Sequence, residues 1–236
     1  MKMTTEKSPP RAPLLSGPPR KLLLQESGLE LEGTVTLELD DAVADIAGPY
    51  KVRIKRDNEG RLKYLKVKLD RSMPPGKYGS RLKSANADIP VVLEVQESIA
   101  LAMSPSQITV AGCNGTKVLT SALLTNKGNI TLEIPRSHHL GIYDDAGVET
   151  AFASTYRLDE DDPIELFGNF IHKLRDGYGG LLKLRITKGY GALPAGLSRR
   201  VEIEVALQKK LKPQHHYHGV WSLFNSNFNV AISVQD

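Results

Sequence analysis

Histidine is the residue type in this chain that most readily suggests chemistry, because most of its six copies are clustered. Three lie within four residues of one another, and two more are adjacent in another polar segment. Neutral imidazole binds Zn²⁺ and Cu²⁺ well, which makes these residues candidate metal ligands. The five candidates are His215, His216, His218, His138 and His139. Their spacing matches no established zinc motif, and solvated polar turns are the alternative interpretation.

The other reactive residue types give weaker indications of chemistry. The chain has one cysteine, Cys113, which can form no disulfide within the chain and has no base marked near it in sequence. The sequence contains neither a Ser-His-Asp arrangement nor a glycine-rich motif between a strand and a helix that would bind phosphate. We therefore expect no catalytic residues and no enzymatic activity. The only cofactor considered is a Cu or Zn ion on the histidines.

Charge and hydropathy restrict the classes of partner. The 31 Lys and Arg residues exceed the 27 Asp and Glu residues by only four, and they are spread along the chain, so we expect no nucleic-acid partner. No window of about 18 apolar residues occurs, which predicts no transmembrane segment. Residues 1–27 are rich in proline and lack the apolar core and cleavage site of a signal peptide. They are predicted to form a flexible leader.

Most of the remaining chain alternates between apolar and polar residues. Residues 29–39 (LELEGTVTLEL) and 201–207 (VEIEVAL) are two of the clearest examples. An alternation of period two is typical of strands buried on one face only. Short strands of this kind, separated by turn residues every 8–12 positions, are typical of a β-sandwich.

One segment has helical rather than strand periodicity. Asp162 and Pro163 form a typical helix start, and Gly177 lies where such a helix would end. The spacing predicts a short helix over residues 163–175 that packs its apolar side on a sheet. That side consists of Ile164, Phe167, Phe170, Ile171 and Leu174.

An internal repeat indicates how the strands are organised. Residues 78–96 (YGSRLKSANADIPVVLEVQ) and 217–235 (YHGVWSLFNSNFNVAISVQ) have the same length and matching apolar positions. Each begins with a tyrosine that follows a Pro-containing turn, and such a tyrosine is expected to bury its ring and bond its hydroxyl to the backbone. Two copies of one closing hairpin predict two modules, over residues 28–97 and 98–236.

The second module resembles known surface domains at one hairpin. The stretch from Ala122 to Leu132 contains Thr-Asn-Lys-Gly-Asn between two strands, and it is similar to a hairpin of bacterial and archaeal surface immunoglobulin-like domains. A weaker likeness, at Tyr217-His218-Gly219 and the alternation that follows, is to chaperone–usher pilus subunits. The resemblance implies an all-β fold of two immunoglobulin-like β-sandwich modules in tandem, with one short helix inserted in the second.

These features predict a non-catalytic binding or structural protein of the cell surface or periplasm, for adhesion or pilus-like assembly. Its partner would be another protein, or a second copy joined through edge strands, with the basic segment Arg20–Gln25 as one such strand. A glycan bound on Tyr178 and Tyr190 is a further interpretation. The alternatives are a metal-binding accessory protein that uses the histidines and, ranked last, an enzyme with a dispersed site. A cytoplasmic location stays open because no export signal is visible.

Overall fold

The computed structural model describes residues 12–24, 31, 33–40, 49–56, 58, 62–157 and 162–236. These residues form mostly β-strands, together with two α-helices. The chain divides into two compact units: unit 1 comprises residues 1–98 and Gly128–Ile130, and unit 2 comprises Ile99–Lys127 and Thr131–Asp236. Residues 128–130 thus belong to unit 1, although they fall within the predicted second module. Within the described part of the chain, neither helix is long and apolar enough to cross a bilayer.

Seven strands of unit 1 form a closed ring. They are β1 (Leu14–Gly17), β2 (Leu22–Leu24), β3 (Thr36–Leu39), β4 (Tyr50–Arg56), β5 (Leu62–Val67), β6 (Gly76–Lys83) and β7 (Asp88–Val95). Their order is β1-β2-β5-β4-β3-β6-β7, and parallel pairing of β7 with β1 closes the ring. Because successive side chains of a strand point to opposite faces, the alternating sequences supply one apolar face each to the core. Leu15, Leu37, Leu65, Leu82 and Leu93 are among the buried core residues.

The described residues of unit 2 form ten strands and both helices. The strands are β8 (Leu101–Ser104), β9 (Gln107–Cys113), β10 (Lys117–Asn126), β11 (Leu132–Ile134), β12 (Ser137–Asp144), β13 (Tyr178–Lys188), β14 (Gly191–Leu193), β15 (Ser198–Ala206), β16 (His216–Leu223) and β17 (Ser226–Gln235). Eight of them form one sheet in the order β8-β10-β15-β13-β12-β16-β17-β9, and β11 pairs with β14 separately. The helices α1 (Asp145–Tyr156) and α2 (Pro163–Asp176) lie in the connection between β12 and β13.

The seven strands of unit 1 have counterparts in unit 2. In chain order, β1 to β7 correspond to β9, β10, β12, β13, β15, β16 and β17, and the neighbour order is the same in both units. In each unit the last strand pairs antiparallel with the sixth and parallel with the first. The units differ at the second strand, since β2 pairs with β1 whereas β10 pairs with the additional strand β8. Among the described residues, the two units therefore share one strand topology, to which unit 2 adds three strands and two helices.

The closing hairpins of the two units have the same register, as the sequence repeat predicts. The equivalent cross-strand pairs are Tyr78–Leu93 with Tyr217–Ile232, and Leu82–Ile89 with Trp221–Phe228. The repeat is confirmed, because residues aligned by sequence occupy the same positions in the two ladders.

The prediction of a flexible leader through residue 27 is wrong for its described part. Residues 14–17 form β1 and residues 22–24 form β2, with Leu15 and Leu22 fully buried. Pro18 and Pro19 belong to the turn between these strands, where the Lys21 amide donates to the Pro18 carbonyl at 2.8 Å. The segment Arg20–Gln25 was predicted to add as a strand to a neighbouring molecule. Its strand β2 already pairs with β1 and β5 of its own unit, so its two edges are hydrogen-bonded within unit 1.

The helical region contains two helices rather than one. The predicted helix over residues 163–175 is observed as α2, whose first turn is capped by Asp162: its side chain accepts from the Ile164 amide at 2.8 Å. The helix α1 was not predicted, because most of its sequence (DAGVETAFASTY) consists of small and polar residues, which separate its larger apolar side chains from one another. Asp144, the last residue of β12, caps it directly without an intervening turn.

Both repeat tyrosines make the expected bond to the backbone. The Tyr217 ring is buried, and its hydroxyl oxygen accepts from the Lys212 amide at 3.0 Å. The half-buried Tyr78 donates to the Pro74 carbonyl at 2.8 Å. A tyrosine bonded to backbone a few residues upstream, at the start of the penultimate strand, is a recurrent feature of immunoglobulin sandwiches.

Tyr78→Phe is expected to lower the free energy of unfolding at pH 7 by about 0.5–1 kcal/mol, because it removes one hydrogen bond. Burial also raises the pKa of the Tyr78 phenol above its ordinary value. The folded protein then holds this proton more tightly than the unfolded chain, so the associated stability is lost as pH rises through the folded-state pKa. Urea titrations at neutral and alkaline pH should show a shallower alkaline loss for Tyr78→Phe than for Tyr156→Phe, an exposed control. Equal slopes for the two variants would contradict the prediction.

Candidate functional site

The structure places the five candidate histidines in two separate groups. His138 and His139 lie near the start of β12, while His216 and His218 lie on β16 and His215 directly precedes it. β16 runs antiparallel to β12 with His218 opposite Tyr143. Tyr143 is four residues from His139 along β12, which corresponds to about 13 Å of strand. The two groups are therefore not brought together.

Two of the histidines are instead paired with carboxylates at the start of α1. His215 Nδ1 lies 2.6 Å from Asp144 Oδ2, and His218 Nε2 lies 2.7 Å from Asp145 Oδ1. The buried Asp144 also accepts from the Ala146 amide through Oδ1 at 3.1 Å, so one carboxylate caps the helix and binds the imidazole. Across the described ranges, no group of three or more His, Cys, Asp and Glu side chains is placed to hold a metal ion. Metal binding by these histidines stays a prediction.

The interpretation of Tyr178 and Tyr190 as one glycan-binding platform is wrong. Tyr178 opens the 11-residue strand β13, and Tyr190 follows its end, so about 33 Å of strand separates them. Each ring has a local neighbour: the Tyr178 ring centroid is 5.2 Å from that of Tyr143, and the Arg136 guanidinium lies 5.3 Å from that of Tyr190.

The two helices form an antiparallel hairpin. The start of α1 meets the end of α2 so closely that a Cβ atom on Gly147 would lie 2.9 Å from the Cα of Gly177. Further along, the rings of Phe152 and Phe170 are in contact at 4.6 Å between centroids. Small residues at the base and an aromatic pair in the middle thus hold the helices together.

The hairpin carries an exposed apolar stripe on each helix. We call these six residues the hairpin surface: Val148, Phe152 and Tyr156 of α1, and Ile164, Phe167 and Ile171 of α2. Tyr156 and Ile164 are each 81% exposed, and Phe167 is 65% exposed. No residue of α2 is buried, so the prediction that α2 packs its apolar side on a sheet is wrong. The part of this apolar side around Phe170 packs against α1, through the contact of Phe170 with Phe152.

The two stripes lie on the same side of the hairpin. In each helix the stripe residues come one position after the residues that face inward, which is a rotation of about 100° about the helix axis. These adjacent pairs are Ala151–Phe152 and Thr155–Tyr156 in α1, and Leu166–Phe167 and Phe170–Ile171 in α2. Because the helices are antiparallel and the rotation has the same sense in both, the two stripes point in one direction and form a continuous apolar surface.

A groove on the outer face of the sheet adjoins this surface. It has a volume of about 660 Å³ and is lined by residues of β9, α1, β12, β16 and β17. Tyr143 and Val220 contribute half-exposed side chains to it, and Val148 belongs both to the groove and to the hairpin surface. His218 and Asn229 add polar atoms among its lining residues. Exposed apolar surface of this extent is typical of a site that another molecule covers.

The apolar stripe of α2 is visible in the sequence, but the site was not predicted, because neither α1 nor the orientation of α2 was predicted. A detectable signal was present at Val148, Phe152 and Tyr156, which recur every four residues as on one face of a helix. The arrangement supports association through apolar and aromatic contacts, which needs no reacting group.

Comparison with known proteins gives no family assignment. No family model matches the chain, and no curated protein matches it. Among solved structures it is similar to a protein of unknown function from Porphyromonas gingivalis W83, with 11% identity over 95% of this chain and 96% of that one and a TM-score of 0.29. It is also similar to domains 4 and 5 of the S-layer protein SbsC, with 12% identity over 72% of this chain and 69% of that one and a TM-score of 0.29. It is similar as well to the titin domains I67–I69, with 9% identity over 94% of this chain and 62% of that one and a TM-score of 0.36. Likeness at this level assigns neither family nor function.

Proposed function

We propose that this chain is a non-catalytic binding protein of two immunoglobulin-like modules, and that unit 2 docks a protein partner on the hairpin surface. Two features support the immunoglobulin-like description. In the shared strand order, the last strand lies between the sixth strand and the first, and it pairs with the first in parallel. This order is compatible with the two sheets of an immunoglobulin sandwich. Both penultimate strands also carry, within their first three residues, a tyrosine bonded to upstream backbone.

The exposure of the six hairpin-surface residues is the observation that carries the binding proposal. Exposing two phenylalanines, a tyrosine and three aliphatic side chains on one side of a helical hairpin leaves a large apolar area in water. Covering such area contributes roughly 25 cal/mol per Å² to association. Aromatic residues are also enriched in the cores of protein interfaces. A protein partner therefore fits this surface.

The partners of the polar residues favour a binding role over catalysis. Asp144 caps α1 and binds His215, while His218 binds Asp145. These contacts position the hairpin on the strands β12 and β16. A location at the cell surface or in the periplasm is part of the proposal, and its support is the resemblance of the Thr125–Asn129 hairpin to surface domains.

Site-specific photo-cross-linking tests the proposal in cells that express the full chain. The photoreactive residue p-benzoyl-phenylalanine replaces Phe167 in one variant and Leu119 in a control variant. Leu119 is an apolar residue of β10, 70% exposed, outside the hairpin surface. We expect a discrete protein adduct from position 167 and none from position 119. No adduct from position 167, or equal adducts from both, would overturn the proposal.

A further inference from the structure

We propose that the partner on the hairpin surface is a second copy of this chain, and that the two hairpins pack as a four-helix arrangement about a twofold axis. This inference rests on the proposed function, because it names the occupant of the same surface. The area of the surface is its first support. The six exposed side chains amount to about 600 Å² per copy, and a stable interface buries about 600–1,000 Å² per partner. The adjoining groove and polar rim can supply further contact area.

The geometry of the surface suits self-association. An interface about a twofold axis uses the same patch on both copies, so the patch must be complementary to itself. Two helices that present one continuous apolar side satisfy this condition, because an identical hairpin laid against them buries both stripes at once. Helical bundles are built in this way, from apolar sides that interdigitate.

A twofold axis that crosses α2 at right angles makes the contact between the two copies of this helix antiparallel. The register that sets Phe167 against Ile171 of the second copy repeats the same contact on the other side of the axis. Glu165 and Lys173 take no part in this contact, because at about 100° per residue they lie on the opposite side of α2.

A lipid surface is the less favourable occupant. The connection between the helices has the sequence Asp159-Glu160-Asp161-Asp162, and Glu165 follows it. Anionic headgroups attract basic segments and would repel this acidic one. A second copy of the chain involves no such anionic plane.

Sedimentation velocity of the purified full chain, from micromolar to submillimolar concentration, tests the proposal. We expect the wild-type protein to shift from the mass of one chain to that of two. Phe167→Glu should raise the dimer dissociation constant at least about 100-fold, because a hot-spot residue is lost twice in a symmetric interface. Ile164→Lys should act in the same direction. The control Leu119→Glu should leave the dissociation constant within about threefold of wild type, since exposed positions outside an interface contribute little.

The outcomes separate this inference from the proposed function. A wild-type chain that sediments as one chain at every concentration overturns self-association, and so does equal weakening by Phe167→Glu and Leu119→Glu. If the cross-link from position 167 then joins a different protein, the binding function stands and only the occupant was wrong. Without a monomer–dimer shift and without an adduct, both proposals fail. Because Phe167 and Ile164 are exposed, circular dichroism should show both variants folded.

Discussion

Trp221→Ala is expected to lower the free energy of unfolding of unit 2 by about 3–5 kcal/mol, the usual cost of removing a fully buried aromatic side chain. Trp221 has no exposed surface, and its ring meets that of Phe228 on the paired strand at 6.2 Å in an edge-to-face arrangement. The cavity left by an indole is too large for the surrounding aliphatic side chains to fill. The cost therefore includes lost packing as well as lost burial.

Urea denaturation followed by far-UV circular dichroism measures this effect. Val220→Ala is the matched control, since Val220 is the adjacent residue on the same strand but is half exposed on the opposite face. It should cost less than about 1 kcal/mol, within the range of strand propensities. Leu82 occupies the equivalent position in unit 1 and is fully buried, so Leu82→Ala should cost about 2–5 kcal/mol. A small loss for Trp221→Ala, similar to that of Val220→Ala, would contradict the assigned core.

The repeat explains why the closing hairpins could be predicted from sequence. Strand alternation places residues on one face or the other, and a matched pair of alternating segments also determines which residues oppose each other. The alignment of Leu82 with Trp221 needed no tertiary information because both hairpins are local. The same reasoning could have predicted β1, because the segments Leu14–Gly17 and Thr109–Gly112 both end in glycine. In the structure these glycines lie opposite Val95 and Val234, which occupy the same position in the sequence repeat. Prolines in the following turn hid this similarity behind the composition of a flexible linker.

The candidate site was less predictable because it depends on how distant residues pack. The α2 stripe was visible in the sequence, but a stripe does not reveal whether a sheet, a helix or another molecule covers it. The pairing of His215 with Asp144 likewise depends on α1, whose start overlaps the end of a strand. The histidines drew attention through their clustering, whereas the carboxylates that bind them are 71 and 73 positions away in the chain, and no local pattern connects the two sets.

Asn129 is a second position where a large effect is expected, and it belongs to the Thr-Asn-Lys-Gly-Asn motif noted in the sequence. Its side chain is 4% exposed. Its amide nitrogen donates to the carbonyls of Met73 and Gln96, each at 3.0 Å, and its amide oxygen accepts from the Ser98 amide at 2.6 Å. All four residues belong to unit 1, so a residue of the β10–β11 connection satisfies backbone groups of unit 1.

Asn129→Ala is expected to destabilise unit 1 by about 3 kcal/mol or more, because it leaves three backbone groups without their partner and each such loss costs about 1–3 kcal/mol when the group is buried. Asn227→Ala, at an exposed position of β17, should change stability by less than about 0.5 kcal/mol. Hydrogen–deuterium exchange locates the effect, and for Asn129→Ala the loss of protection should concentrate in residues 73–98. Asn129→Asp separates the two roles of the side chain, because it keeps the acceptor for Ser98 but replaces the donor with a carboxylate oxygen facing two carbonyls, and it should destabilise at least as much as alanine. If Asn129→Ala matched the control, or if protection were lost only within unit 2, the hydrogen bonds of Asn129 would not be what holds the end of unit 1.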